Sequence, residues 1–183
     1  MNIFVFGTLL SETFRKIVLG RELHSEHICI ASLKNFCVYW AEGGPFPVIV
    51  PKDGTEVHGV VLKDLNEHDI ERLNYYELGF GYVLREALVE TNDGLQDVFA
   101  YFCRSSDMAS KNLWSFDDWH TKHSEIQYLA TTEFMDFFGT KFGDTAQQMY
   151  NSILKRAEIY VKETSSLSNV IEDGPSKHAK AQV

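Results

Sequence analysis

The sequence predicts an α+β chain: a compact, mostly antiparallel sheet or barrel followed by helices. Three observations carry that. Strand-like runs come first, with only two short helical segments among them, an order unlike the regular alternation that builds a doubly wound parallel sheet. "ELGFGYVLREALVETNDGLQDVFAYFC" reads as a hairpin whose β-rich arms, about 82–91 and 97–103, flank Asn92-Asp93-Gly94. After Cys103 the apolar period changes to that of helices.

Each element has its local reason. Residues 2–6 are a buried strand by their Ile, Val and Phe content, stopping at Gly7-Thr8. Ser11 caps a helix over about 12–19, which Gly20 ends. "ICIASLKNFCVYW" is one long strand or two joined by a bend. Gly43, Gly44, Pro45 and Pro47 dictate a loop, then Val48 to Val50 make a short strand closed by Pro51. Asp53-Gly54 gives a hairpin turn into a strand over about 56–62. Asp64 or Asn66 caps a short helix with Ile70 and Leu73 as its stripe. "RSSDMASKN" is a polar connection. Two helical segments follow, punctuated by Gly139 and Gly143, with Asp144 as cap of the second. From Ser165 the segment lacks an apolar stripe and is expected to be a disordered tail. The expected division is 1–104 for the β-rich domain, 105–164 for a helical extension packed on it, and 165–183 for the tail.

Composition removes several function classes. The 183 residues carry a net charge of −9 and no basic patch, which argues against a nucleic-acid partner. No run of ~18 apolar residues and no signal-peptide pattern is present, so no membrane partner and a cytoplasmic location are expected. Cys29, Cys37 and Cys103 are too widely spaced for a disulfide framework and read as reduced core residues.

Few residues suggest chemistry by themselves. Glu77 lies at a helix end among tyrosines, just before a Gly79-Phe80-Gly81-Tyr82 turn. Such surroundings remove solvent from a carboxylate and raise its pKa, as a general base near neutrality requires. A surface glutamate at a helix end is the plainer alternative. His24/His27 and His120/His123 have ligand-like spacing but no third partner, so no metal and no cofactor is expected. Gly7, where a strand meets a helix, is either a tight turn or the start of a backbone cradle for an anion.

Taken in order, Gly7-Thr8-Leu9 after the first strand, "FPVIVP", "VHGVVLKDL", "RLNYYELGFGYVLRE" and the following hairpin resemble the blocks of the γ-glutamylcyclotransferase-like (AIG2-like) family. The likeness spans about residues 2–103 and is greatest to bacterial members with a C-terminal helical extension. It implies a small mixed, mostly antiparallel β-barrel with flanking helices. It also implies a reaction: a γ-glutamyl compound cyclises to 5-oxoproline and releases an amine. Carried over by position, Glu77 is the catalytic acid/base, and Phe6, Gly7, Thr8, Leu9 and Tyr82 are substrate-binding. The family usually has Tyr at position 6 and, in the bacterial group, commonly Gly at position 78. Here these are Phe6, which removes one substrate hydrogen bond, and Leu78, which narrows the pocket. The bottom-up chemistry agrees, because the nucleophile is already in the substrate. Only an anion cradle and one proton carrier are needed. The competing reading is a non-catalytic module that binds a small acid in the same pocket or docks a partner through the C-terminal helices.

Overall fold

The computed structural model describes residues 1–141 and 143–172, with side chains undescribed at 143, 144, 146, 147 and 166–172. Five strands close into a barrel: β1 (Ile3–Val5), β2 (Ile28–Ala41), β3 (Gly44–Leu62), β4 (Tyr82–Thr91) and β5 (Gly94–Cys103). Around the ring the order is β3-β1-β5-β4-β2, and β2 pairs back onto β3. All pairings are antiparallel except β1 with β5, where Ile3 faces Phe99 and Phe4 faces Ala100 in parallel register. The barrel is therefore mixed and mostly antiparallel, as expected.

The hairpin β4–β5 turns at Asn92-Asp93, with Thr91 opposite Gly94. The loop and second hairpin read between 43 and 56 are corrected. Gly44 to Leu62 is a single strand, and the hairpin turns at Glu42-Gly43 instead. Asp53-Gly54 leaves the ladder as a bulge: Lys34 faces Glu56, Phe36 faces Pro51, and residues 52–55 bow out opposite Asn35. The Asn35 side-chain oxygen accepts from the Gly54 N–H (3.2 Å), and Thr55 Oγ1 donates to the Phe36 and Lys52 carbonyls (2.8 and 2.7 Å). The polar connection also holds a strand, β6 (Ala109–Leu113), which pairs with the far end of β2.

Among the described residues five helices flank the barrel. α1 (Glu12–Leu19) begins where Ser11 Oγ accepts from the Phe14 N–H and ends at Gly20 in the left-handed region. α2 (Glu67–Leu78) is capped by Asn66 in a capping box with Asp69. Asp69 also takes a two-pronged bond from Arg21 (2.8 and 2.6 Å), tying the end of α1 to the start of α2. α3 (Phe116–Lys122) is capped by Ser115, with Asp117 and Asp118 in its first turn. α4 (Ser124–Met135) and α5 (Gly143–Glu172) pack on each other and on α1 and α2. α5 stays helical past Ser165, into the segment expected to be disordered, because no Pro or Gly occurs before Gly174. The expected cap rests on the Asp144 side chain, which is outside what is described, and the tail from 173 lies outside the described residues. Among the described residues, no helix is long and apolar enough to cross a membrane. The three cysteines are free and half-buried rather than core.

Two buried clusters meet at β1. Phe4 points into the barrel, among Val61, Val89, Val98 and Ala100. Ile3 and Val5 point the other way, into a second cluster shared with the helices. The period of two along this short strand thus makes it a partition between two cores.

Candidate active site

A cavity opens at the end of that partition. It contains about 510 Å³ of empty space, mouth included. Its walls come from β1 and the turn after it (Phe4, Val5, Phe6, Thr8, Leu9), from the start of β3 (Phe46, Pro47), from the last turn of α2 (Tyr76, Glu77), and from Phe80, Tyr82 and Tyr101. Phe6, Thr8, Leu9, Glu77 and Tyr82, all singled out from the sequence, share this one cavity. Gly7 sits between two of them. Phe46 and Pro47 form the cavity's rim. Phe4, Val5, Phe80 and Tyr101 were not singled out. Tyr101 becomes readable only through the register that sets it beside Leu84.

After β1 the chain enters a 3₁₀ turn, Gly7–Leu10. Gly7 has φ +65°, and a Cβ there would lie 2.4 Å from Pro47 Cγ. Both the backbone angle and the proline therefore demand glycine. The first N–H groups of such a turn have no acceptor within it, so they are free to meet an anion. Gly81 likewise has φ +82° and opens β4, whereas Gly79 is right-handed helical and does not need to be glycine.

Glu77 is the sole charged residue among those lining the cavity. It retains some accessible surface because it faces the cavity, yet protein surrounds its carboxyl as in the interior. Among the described residues no side chain or N–H donates to that carboxyl and no cation pairs with it. Burial alone pushes its pKa from 4.5 to about 8. Tyrosines surround it. The Tyr82 hydroxyl donates to the Pro47 carbonyl (2.7 Å) and that of Tyr101 to Asn74 Oδ1 (2.8 Å). Burial, then the fields of Tyr150, Glu77 and Tyr82, hold the Tyr76 hydroxyl far above its ordinary pKa, against the opposing effect of neighbouring Thr8. The phenols are therefore neutral, and Glu77 is the group here that titrates near neutrality.

The helices after Cys103 brace this site from behind. Buried Gln127 of α4 accepts from Trp119 Nε1 (3.0 Å) and donates to the Pro45 carbonyl (3.3 Å), fixing the rim. Ser11 Oγ shares a hydrogen bond with the Tyr128 hydroxyl (2.8 Å). Phe80 packs between Phe134 and Tyr150, at ring-centroid distances of 5.6 and 5.0 Å. The paired histidines are elsewhere, and the described residues contain no group of three or more His, Cys, Asp or Glu that could hold a metal.

A family model described as gamma-glutamyl cyclotransferase, AIG2-like, matches residues 3–121. Among curated proteins, AIG2-like protein B of Arabidopsis thaliana is 29% identical, covering 74% of this chain and 78% of that one. AIG2-like protein A of the same plant is 28% identical, over 68% and 74%. Among solved structures, a solution structure of an Arabidopsis thaliana protein superimposes with a TM-score of 0.52 at 25% identity, covering 77% of this chain and 93% of that one. A second from that plant has a TM-score of 0.52 at 23% identity, covering 76% and 84%, and so speaks for the fold. These relatives are plant proteins, and the bacterial placement stays an expectation. The family match runs past residue 104 into α3, and with the barrel and its cavity it shows that the chain belongs to the gamma-glutamyl cyclotransferase, AIG2-like, family.

Proposed function

We propose that the protein is a γ-glutamylcyclotransferase with Glu77 as its proton carrier. The observation that carries this reading is a buried carboxyl without partners among the described residues, its pKa near 8, facing the same cavity as the Gly7–Leu10 turn. The substrate's α-carboxylate rests on the N–H groups of the Gly7-Thr8-Leu9 turn, with Phe6 and Tyr82 shaping the pocket. Its α-ammonium faces Glu77. The ammonium's positive charge favours the ionised carboxylate, which then removes one proton. The freed amine attacks the γ-carbonyl carbon and forms the five-membered ring. As the γ C–N bond breaks, the Glu77 carboxyl gives the first proton to the departing nitrogen, and the carboxylate so restored passes the ring nitrogen's second proton to the same amine. The products are 5-oxoproline and the released amine as its ammonium ion, and Glu77 ends as it began. A serine or cysteine nucleophile has no part in this sequence of steps. The aromatic walls exclude water, which would otherwise solvate the carboxylate and lower its basicity.

The test is a panel of γ-glutamyl compounds assayed for 5-oxoproline release. At least one should turn over with the wild type and far more slowly with Glu77→Gln. If none turns over, yet 5-oxoproline binds at the Gly7 turn, the chain is a binding module on the same fold.

A further inference from the structure

The cavity poses an electrostatic problem. It is expected to take an α-carboxylate, but none of the residues lining it is a cation. A cation that holds the turn lies behind it. Arg15, on α1, is only 9% exposed. One of its guanidinium nitrogens, NH1, donates to the Leu9 carbonyl (2.9 Å) and the Leu10 carbonyl (2.8 Å). The preceding carbonyl, of Thr8, accepts from the Ser11 N–H (3.1 Å). Three successive carbonyls of the 3₁₀ turn are thus held by donors from the start of α1.

These carbonyls are the negative end of the turn's dipole, and its free N–H groups are the positive end. A cation on the negative end leaves the positive end uncompensated, which is what an anion would meet. Arg15 itself has unusual surroundings. Among the described residues it has no ion-pair partner, and Glu12 acts on it only from a distance. A buried, unpaired guanidinium is unfavourable unless something else compensates it. Two carbonyls supply part of that compensation. An anion on the opposite face of the same turn would supply more.

We propose that Arg15 is a positioning residue of this site: it locks the Gly7–Leu10 turn from behind and lends it the fixed positive charge that receives the substrate's α-carboxylate. The proposal rests on the cyclotransferase reading above. Arg15 touches neither substrate nor reacting atoms, so its effect is confined to the carboxylate.

The experiment compares two substrates sharing one leaving amine. One is the γ-glutamyl amide. The other is the 4-aminobutanoyl amide, which keeps the amino group and carbonyl, lacks the α-carboxylate, and closes to 2-pyrrolidinone. Arg15→Met should raise KM for the γ-glutamyl amide by ~10-fold or more, with a smaller change in kcat, since uniform binding is what is lost. For the 4-aminobutanoyl amide, kcat/KM should stay within about 2-fold of wild type. Arg15→Lys should recover part of the KM, because a lysine keeps the positive charge but lacks the planar guanidinium that fixes the donor against the turn. Binding of 5-oxoproline, measured by calorimetry, should weaken in parallel, while that of 2-pyrrolidinone does not. If Arg15→Met fails to fold, the same comparison is read on Arg15→Lys, with a smaller loss confined to carboxylate-bearing ligands. Equal losses on both substrates in a folded variant would overturn the role of Arg15 and leave the cyclotransferase reading standing. A wild type that neither releases 5-oxoproline from any γ-glutamyl compound nor binds it would sink both.

Discussion

The two cores that β1 divides differ in kind. Inside the barrel, Phe4, Ala31, Leu33, Ile49, Val57, Val61, Val89, Val98, Ala100 and Phe102 form a cluster of aliphatic and phenyl groups without a polar atom. On the other face of β1, the cluster shared with the helices contains Phe14, Tyr76, Tyr82, Tyr101, Trp119, Phe134 and Tyr150. That second core carries hydroxyls and an indole N–H, and Glu77 lies beside it. Aliphatic packing fixes the strands. Aromatic packing does the same while placing polarisable faces and phenol edges around a cavity, where a carboxyl can be dry without being crushed. The difference suggests that the barrel serves mainly to present β1 and the turn after it, and that the helices complete the site's chemistry.

The largest expected effects come from truncating each core. Phe102→Ala and Phe134→Ala both remove a buried phenyl, and each should cost about 3–5 kcal/mol of stability in denaturant titrations. They should part company in activity. Phe102 packs on Phe36, away from the cavity, so the folded variant should keep the wild-type pH profile. Phe134 supports Phe80 and Tyr76. Its loss should let water toward Glu77 and move the acidic limb of kcat/KM to lower pH. Identical profiles for the two variants would mean that the aromatic core has no special relation to the site.

Much of the barrel was legible because its signals are local. Asn92-Asp93-Gly94 between β-rich arms, Ser11 before α1 and Asn66 before α2 act through neighbours in the chain. What was hidden depends on distant partners. The bulge at 52–55 requires Asn35 on another strand to accept the Gly54 N–H, so the local turn signal marked a bulge and not the hairpin inferred from it. β6 has no apolar pattern because it is a short, exposed edge strand, held by backbone bonds to β2. In the site, Glu77 could be read from its tyrosine neighbours. Gln127 could not, since one glutamine in a helix gives no sign of the indole and the proline carbonyl it serves. Phe6 and Leu78 are now placed as well. Phe6 lines the cavity, while Leu78 is 43% exposed and does not narrow it, because one residue further along α2 points to a different face.

Next in size is Glu77→Gln, which keeps the shape and removes the proton acceptor. Turnover should fall by at least ~10²-fold, with 5-oxoproline binding retained. The same change should make the protein more stable in alkali. Below pH 4.5 the carboxyl is neutral whether the chain is folded or not, and no penalty exists. Above about pH 8 the folded wild type must hold a buried charge that the unfolded chain gives to water. Wild-type stability should therefore decline as pH rises between those values, and the variant should not share the decline. The gap above pH 8 should be on the order of 3 kcal/mol, less than the full shift implies because the surrounding protein relaxes about a buried charge. Parallel stability curves for the two proteins would show that Glu77 is solvated and ordinary.

A smaller effect is expected in the pH–rate profile of the wild type. In the proposed mechanism the carboxylate is the active form, so the rate should rise with pH and level off above the pKa. In kcat/KM, which reports the free enzyme, the limb should lie near 8. In kcat it should lie lower by ~1 unit or more, because a bound ammonium favours the ionised carboxylate. Limbs that coincide would mean that the substrate's amino group does not face Glu77.

The smallest change expected is at Tyr150, in the heart of the aromatic core. Its ring packs on Phe46, Phe80 and Phe134 and is 2% exposed. Its hydroxyl and that of Thr131 face each other closely enough for Thr131 to oppose the upward effect of burial on the Tyr150 pKa, which still rises to about 12. Neither oxygen reaches hydrogen-bond geometry with any partner among the described residues. The ring is therefore well used and the hydroxyl poorly used. Tyr150→Phe keeps the packing and discards an unsatisfied buried oxygen, so it should shift stability by less than about 1 kcal/mol, toward stabilisation. Because a neutral phenol that contacts no substrate has no proton to offer, kcat should stay within ~2-fold of wild type. Measured side by side, melting and turnover separate the two uses of an aromatic residue here. A large loss of kcat with an unchanged melting temperature would place the Tyr150 hydroxyl in the reaction, and the boundary between wall and chemistry would have to be drawn one residue deeper into the helices.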